Sequence, residues 1–225
     1  IHKPLTLQSI NGVTSTIIDG ESNLTSAIID ISANNVTVDG FTLKNANTGY
    51  GAIYIHNYTS NANYTSVKNC IFSNNGGDIW VDKGADYTII DNNTFNGSNS
   101  DAQAWGIWLS SVDNNKITNN TITGKGYSFY GAIYLEFSDS NTISNNTLTN
   151  NFTNGGIELH SSNSNTVSGN TIENNNNAPD GNQVVYGSGV ALTSSSNNGI
   201  LSNNISKENM GISFVNGSNN NEVSK

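Results

Sequence analysis

The sequence predicts an all-β chain, a right-handed single-stranded parallel β-helix with three short strands per coil. Two repeating patterns carry that expectation. One is an apolar-x-apolar triplet, in most cases just behind a glycine, that begins at residues 53, 79, 107, 133, 157, 190 and 212. The other is a six-residue phrase that follows the triplets, fullest in Ile143-Ser-Asn-Asn-Thr-Leu148. It recurs as Val67 to Phe72, Ile90 to Phe95, Ile117 to Ile122, Val167 to Ile172 and Ile200 to Ile205. Both alternate at period two, which marks strands with one face inward. No segment carries a 3.6-residue stripe, and the recurring Ile, Val, Thr, Tyr and Trp are strand formers.

Taken in order, Leu5-Thr-Leu7 with Ile17-Ile18-Asp-Gly20 reads as an early rung, and Val38-Asp-Gly-Phe-Thr-Leu43 fits the six-residue frame. The triplets follow as Ile53-Tyr54-Ile55, Ile79-Trp80-Val81, Ile107-Trp108-Leu109 and Ile133-Tyr134-Leu135, then Ile157-Glu158-Leu159, Val190-Ala191-Leu192 and Ile212-Ser213-Phe214. In the six-residue phrase the third position is Gly40, Asn69, Asn92, Asn119, Asn145 and Gly169, with Ser202 departing. Gly and Asn best tolerate a left-handed backbone, so this column is a sharp bend. The fourth position is Phe41, Cys70, Asn93, Asn120, Asn146, Asn170 and Asn203. Phe and Cys share a column with Asn only if it points inward, where stacked amides supply one another's partners as an asparagine ladder. The whole of 1–225 reads as one β-helix domain. A cap is missing before the first rung and the chain stops inside a rung at Val223, so an excerpt of something longer, or a module that stacks end to end or laterally on neighbours, is expected.

Composition narrows the function classes. The net charge is −9 with only eight Lys+Arg, which disfavours a nucleic-acid partner and an anionic membrane surface. No apolar run approaches the roughly 20 residues of a spanning helix, so membrane insertion is not expected. A lone Cys70 allows no internal disulfide and no cysteine metal cluster. Eleven Asn-x-Ser/Thr sequons, at Asn23, Asn35, Asn57, Asn63, Asn92, Asn96, Asn119, Asn145, Asn151, Asn204 and Asn216, permit an exported glycoprotein, although a chain this rich in Asn, Ser and Thr also generates them by chance. Those at Asn92, Asn119 and Asn145 fall in the bends and are poor acceptors. An extracellular or cell-surface location is the expectation.

The asparagine ladder, the Gly-x-Ile-x-Leu triplets and the repeated Asn-x-Ile-x-x-Asn-x-Ile phrase resemble the parallel β-helix repeats of the pectin-lyase-like superfamily. They are similar above all to the Asn-rich repeat proteins at the surface of methanogenic archaea. The resemblance runs over essentially the whole chain and implies a β-helix that meets polysaccharide, by binding or by cleavage. Two departures stand out: there is no paired-Asp motif of the polygalacturonase kind, and the basic residues that neutralise uronate in the lyases are nearly absent, with only Lys83 and Lys125 nearby.

The candidate site lies on the triplets, whose middle residues are expected to face solvent. Tyr54, Trp80, Trp108 and Tyr134 would form a ribbon about 14 Å long at a strand spacing of about 4.8 Å. That length suits stacking of about three sugar rings, while cross-strand stabilisation and a protein interface are the competing uses. Trp105 and Tyr130 add aromatics from the segments entering the strands. Three such segments, Asn96 to Trp105, Gly124 to Tyr130 and Asn174 to Ser188, are long enough to wall a groove and also carry Asp101, Tyr127, Asp180 and Tyr186. The residue after each triplet contributes His56, Asp82, Ser110, Glu136 and His160. Glu136, Glu158 and His160, with Asp82 about 9.6 Å from Glu136 by strand spacing, could perform acid–base chemistry on a glycosidic bond or a uronic acid. A solvated charged strand face is the plainer reading. No metal site is expected and no cofactor is required. Calcium is admitted only as an optional ligand of Asp78, Asp82, Asp86 and Asp101.

Overall fold

The computed structural model describes residues 1–21, 26–46, 49–57, 61–97, 104–125, 130–151, 155–175 and 187–225. Among these, every regular element is a β-strand. Each coil adds one strand to each of three parallel sheets. Sheet A has nine strands, from Leu5–Gln8 to Glu222–Ser224, and sheet B has eight, from Ile17–Asp19 to Asn204–Ser206. Sheet C has eight, from Ile29–Ile31 to Met210–Val215. Every strand pairs with its counterparts one coil before and one coil after, which is the solenoid the repeats predict.

The six-residue phrase builds a corner. Ile143 lies in the sheet A strand Thr142–Ser144 and Leu148 in the sheet B strand Thr147–Thr149, with Asn145 and Asn146 between them. Gly40, Asn69, Asn92, Asn119, Asn145 and Gly169 all have positive φ, and Ser202 adopts the same bend at φ 53°. The next position turns inward: Phe41, Cys70, Asn93, Asn120, Asn146 and Asn170 are buried. Asn120 Oδ1 accepts from the Asn93 backbone N–H at 3.0 Å and from Asn93 Nδ2 at 3.1 Å. Asn146 serves Asn120 at 2.9 and 3.0 Å, and Asn170 serves Asn146 at the same two distances. The ladder thereby satisfies corner amides that no strand can pair.

Three further ladders occupy the other inner corners. Asn115, Asn141, Asn165 and Asn198 stack before sheet A. Ser138, Ser162 and Ser195 stack after sheet C. Asn151 and Asn175 do so after sheet B. The apolar positions of the strands fill the space between, with Phe72 and Phe95 stacked at 4.8 Å.

Two findings extend the sequence reading. Ile29-Asp30-Ile31 is an eighth member of the triplet column, in register with Ile53-Tyr54-Ile55. The lack of a glycine just ahead of it sets it apart from the other triplets. Asp78 and Lys125, fully buried, form an ion pair near the junction of sheets B and C. Asn75 Nδ2 donates to Asp78 Oδ1 at 2.9 Å, and Lys125 Nζ donates to the Gly97 carbonyl at 2.6 Å. Asp78 is therefore sealed from solvent against the Lys125 ammonium. Of the sequon asparagines, Asn35, Asn92, Asn119, Asn145 and Asn216 have left-handed backbone, and Asn57 and Asn151 are buried. No helix among the described residues is long and apolar enough to cross a membrane.

Candidate functional site

Sheet C aligns the triplet centres in one outward column. Asp30, Tyr54, Trp80, Trp108, Tyr134, Glu158, Ala191 and Ser213 pair in sequence along it. Trp80 and Trp108 stack with ring centroids 5.0 Å apart and planes 14° apart. Tyr54 lies 4.7 Å from Trp80, and Tyr134 lies 5.7 Å from Trp108. Rings this close occupy much of each other's faces.

The expectation that the column faces solvent is corrected here. Tyr54 is only 5% exposed and Tyr134 only 2%, while Trp80 and Trp108 are half-buried. Part of the reason is a second aromatic layer. Tyr50 packs against Tyr54 and Trp80 at 5.5 and 6.2 Å, and Tyr130 against Trp108 and Tyr134 at 5.1 and 4.7 Å. These two tyrosines open the same phrase, Tyr-Gly-Ala-Ile-Tyr, at residues 50–54 and 130–134. Tyr130 was foreseeable from its loop, and the repeated phrase is the signal that would have added Tyr50.

Trp105 is buried edge-on to Trp108, at 5.2 Å and 84°. Its indole lies over the paired Gly77, where an added Cβ would stand 2.5 Å from the ring. The site therefore holds all three tryptophans of the chain. The Nε1 atoms of Trp80, Trp105 and Trp108 are buried without a hydrogen-bond acceptor among the described residues. An unmet buried donor costs about 1–3 kcal/mol, so three in one place are unusual.

Polar groups flank the aromatics. Ser110, Glu136, His160 and Thr193 pair along the next outward column, confirming that Glu136 and His160 are neighbours on adjacent strands. Tyr134 Oη lies 3.1 Å from His160 Nδ1. Burial, then the Glu136 and Glu158 carboxylates and Tyr130, raise the Tyr134 phenol far above its ordinary value, so the hydroxyl keeps its proton beside the imidazole. Glu158, 8% exposed, accepts from the Gly131 N–H at 3.2 Å. At the other end of the ribbon Tyr54 Oη donates to Asp82 Oδ2 at 2.9 Å, and His56 pairs with Asp30 at 3.1 Å.

The structure thus splits the proposed acid–base set. Glu136, Glu158 and His160 gather around Tyr134, whereas Asp82 is held by Tyr54 at the far end. Phe137, 59% exposed and at positive φ beside Glu136, stacks at 6.3 Å on His160 and was not anticipated. Among the described residues no three His, Cys, Asp or Glu side chains are arranged to hold a metal. Asp101, Tyr127, Asp180 and Tyr186 lie outside the described residues.

With this geometry in place, comparisons with known proteins can be set beside it. The chain matches a family model described as a right-handed β-helix region over residues 9–130 and 60–225. No curated protein matches it. Among solved structures, alginate lyase AlyF-OU02 in complex with G6 is similar with a TM-score of 0.56 at 18% identity, over 93% of this chain and 53% of that one. A PL6 alginate lyase in complex with a trisaccharide gives 0.52 at 18% identity, over 90% and 50%. Likeness at this identity establishes a common fold, and the chain spans about half the length of either enzyme. Matched by the model along nearly all of its length, the chain belongs to the right-handed β-helix family.

Proposed function

We propose that sheet C is a polysaccharide-binding face, carried by an extracellular or cell-surface β-helix of adhesin or surface-layer type. The observation that carries this reading is the tryptophan cluster, three indoles whose N–H groups have no acceptor among the described residues, set beside Tyr50, Tyr54, Tyr130 and Tyr134. A sugar offers what such a cluster lacks, apolar C–H faces beside many oxygen acceptors. Trp80 and Trp108 are only half-buried, so they are the rings of the column left open to a ligand. That two proteins of the same fold have been captured with oligosaccharides adds support.

Affinity electrophoresis through gels containing single polysaccharides tests the reading. Retardation by at least one glycan is expected. Trp80→Ala or Trp108→Ala should weaken it about tenfold, the equivalent of about 1.4 kcal/mol from one lost aromatic contact. Binding that survives the double substitution in a folded protein would refute it.

A second reading, polysaccharide cleavage by a lyase or glycoside hydrolase, draws on the Tyr134–His160 hydrogen bond beside Glu136 and Glu158. A phenol held protonated against an imidazole, with carboxylates adjoining, is a proton-transfer arrangement. If it operates, release of unsaturated or reducing ends should vanish in Glu136→Gln and in His160→Ala, and unchanged release would remove those residues from the mechanism.

A further inference from the structure

The ionisable groups around the ribbon are one-sided. Asp30, Asp82, Glu136 and Glu158 line it, with His56 and His160 between them. The chain contains no arginine, and its lysines are placed elsewhere. Lys44 and Lys207 pair with Asp19 and Glu173 beside sheet B, and Lys68 with Asp39 beside sheet A. Lys116 is in a sheet A strand, and Lys3 and Lys225 adjoin the end strands of that sheet. Lys125 is sealed against Asp78. Only Lys83, next to Asp82, adjoins sheet C, and the undescribed segments contain neither lysine nor arginine.

Recognition of a polyuronate or sulfated chain needs cations in the groove, best supplied as bidentate guanidinium. This face has no arginine and Lys83 as its one adjoining lysine, and like charges facing a bound carboxylate repel it. Glu136 is half-buried, and no hydrogen bond or ion pair engages its carboxylate among the described residues. It is a free acceptor and a free negative charge beside the aromatics.

Building on the binding face proposed above, we propose that its ligand is a glycan without carboxylate or sulfate groups, and that free amino groups on the sugar raise its affinity. The alginate of the two similar structures is the class this surface rejects. Neutral rings meet the indole N–H donors and aromatic edges. An ammonium group meets Glu136, and Asp82 at the other end of the ribbon.

Isothermal titration of the full chain with four hexamers tests this: glucosamine, cellohexaose, mannuronate and galacturonate. The expected order is glucosamine first, cellohexaose second and both uronates last, about tenfold or more below cellohexaose at low salt. Raising NaCl should narrow the gaps from both sides. Glu136→Gln should lower affinity for the glucosamine hexamer towards that for cellohexaose. A uronate hexamer that binds as tightly as cellohexaose would overturn the ligand class and leave the binding face standing. Failure of all four hexamers, together with no retardation in any polysaccharide gel, would overturn the binding face and this inference with it.

Discussion

Sheets A and B and sheet C share one strand geometry and one core, yet only sheet C stacks a run of aromatics in an outer column among the described residues. Outward positions of sheet B are Thr94, Thr121, Thr147 and Thr171, and those of sheet A include Lys116, Thr142 and Thr166. These are the residues any solvated strand face carries. At the equivalent rungs sheet C places Trp80, Trp108, Tyr134 and Glu158. Since the core asks the same of all three sheets, the difference marks what the outside of sheet C is for. It also divides the molecule energetically, because the ladders serve the corners everywhere and the aromatic layer adds something only on one side.

The largest test of that division acts beneath sheet C. Asp78→Ala should remove about 3–5 kcal/mol by leaving the Lys125 ammonium sealed without a counter-charge. It should be seen as a lowered urea midpoint that Asp78→Ala with Lys125→Met partly restores. Next is a ladder residue at the corner between sheets A and B. Asn120→Ala strips the acceptor from the Asn93 backbone N–H and amide, and about 2–3 kcal/mol should go, whereas Thr121→Ala on the outer face should stay within about 0.5 kcal/mol. Equal effects would erase the distinction between corner and surface.

Gly77→Ala is specific to sheet C. Its Cβ would meet the Trp105 ring, so about 1–3 kcal/mol and a shifted tryptophan emission are expected. The smallest effect lies far from the ribbon. The Glu21 backbone N–H, then Asn45 and Lys44, hold the Asp19 carboxyl down at about 2. A depressed carboxyl stabilises above its unfolded value and loses that contribution as pH falls towards 2. Asp19→Asn should therefore flatten acid sensitivity only between about pH 4 and 2, as read by acid titration.

The rungs were legible because the physics that builds them is periodic. The six-residue phrase alone identified the left-handed bend at Asn119 and the buried amide at Asn120. The ladder before sheet A was signalled in the same way by Asn141 and Asn165, each two residues ahead of an apolar strand centre. What stayed hidden depends on side chains that meet across coils without a repeat. The burial of Tyr54 and Tyr134 comes partly from Tyr50 and Tyr130, whose positions in the entry segments no alternation reports. Nothing in either local sequence links Lys125 to Asp78. Glu136 and His160 were placed correctly, since register follows from the triplets, but the Tyr134 hydroxyl between the columns was not foreseen as the partner of His160.

The central claim is that the tryptophan cluster of sheet C meets a glycan, and the chain offers a direct reporter for it. Its three tryptophans give three indole N–H resonances, all inside the candidate site. A ¹H–¹⁵N spectrum recorded during titration with the glucosamine hexamer, and with any glycan that retards the protein in gels, should move the Trp80 and Trp108 indole signals saturably as acceptors arrive. The side-chain amides of the Asn120, Asn146 and Asn170 ladder should remain where they are. Indole signals that stay fixed with a glycan that demonstrably binds would contradict the account and move the binding surface to another part of the solenoid.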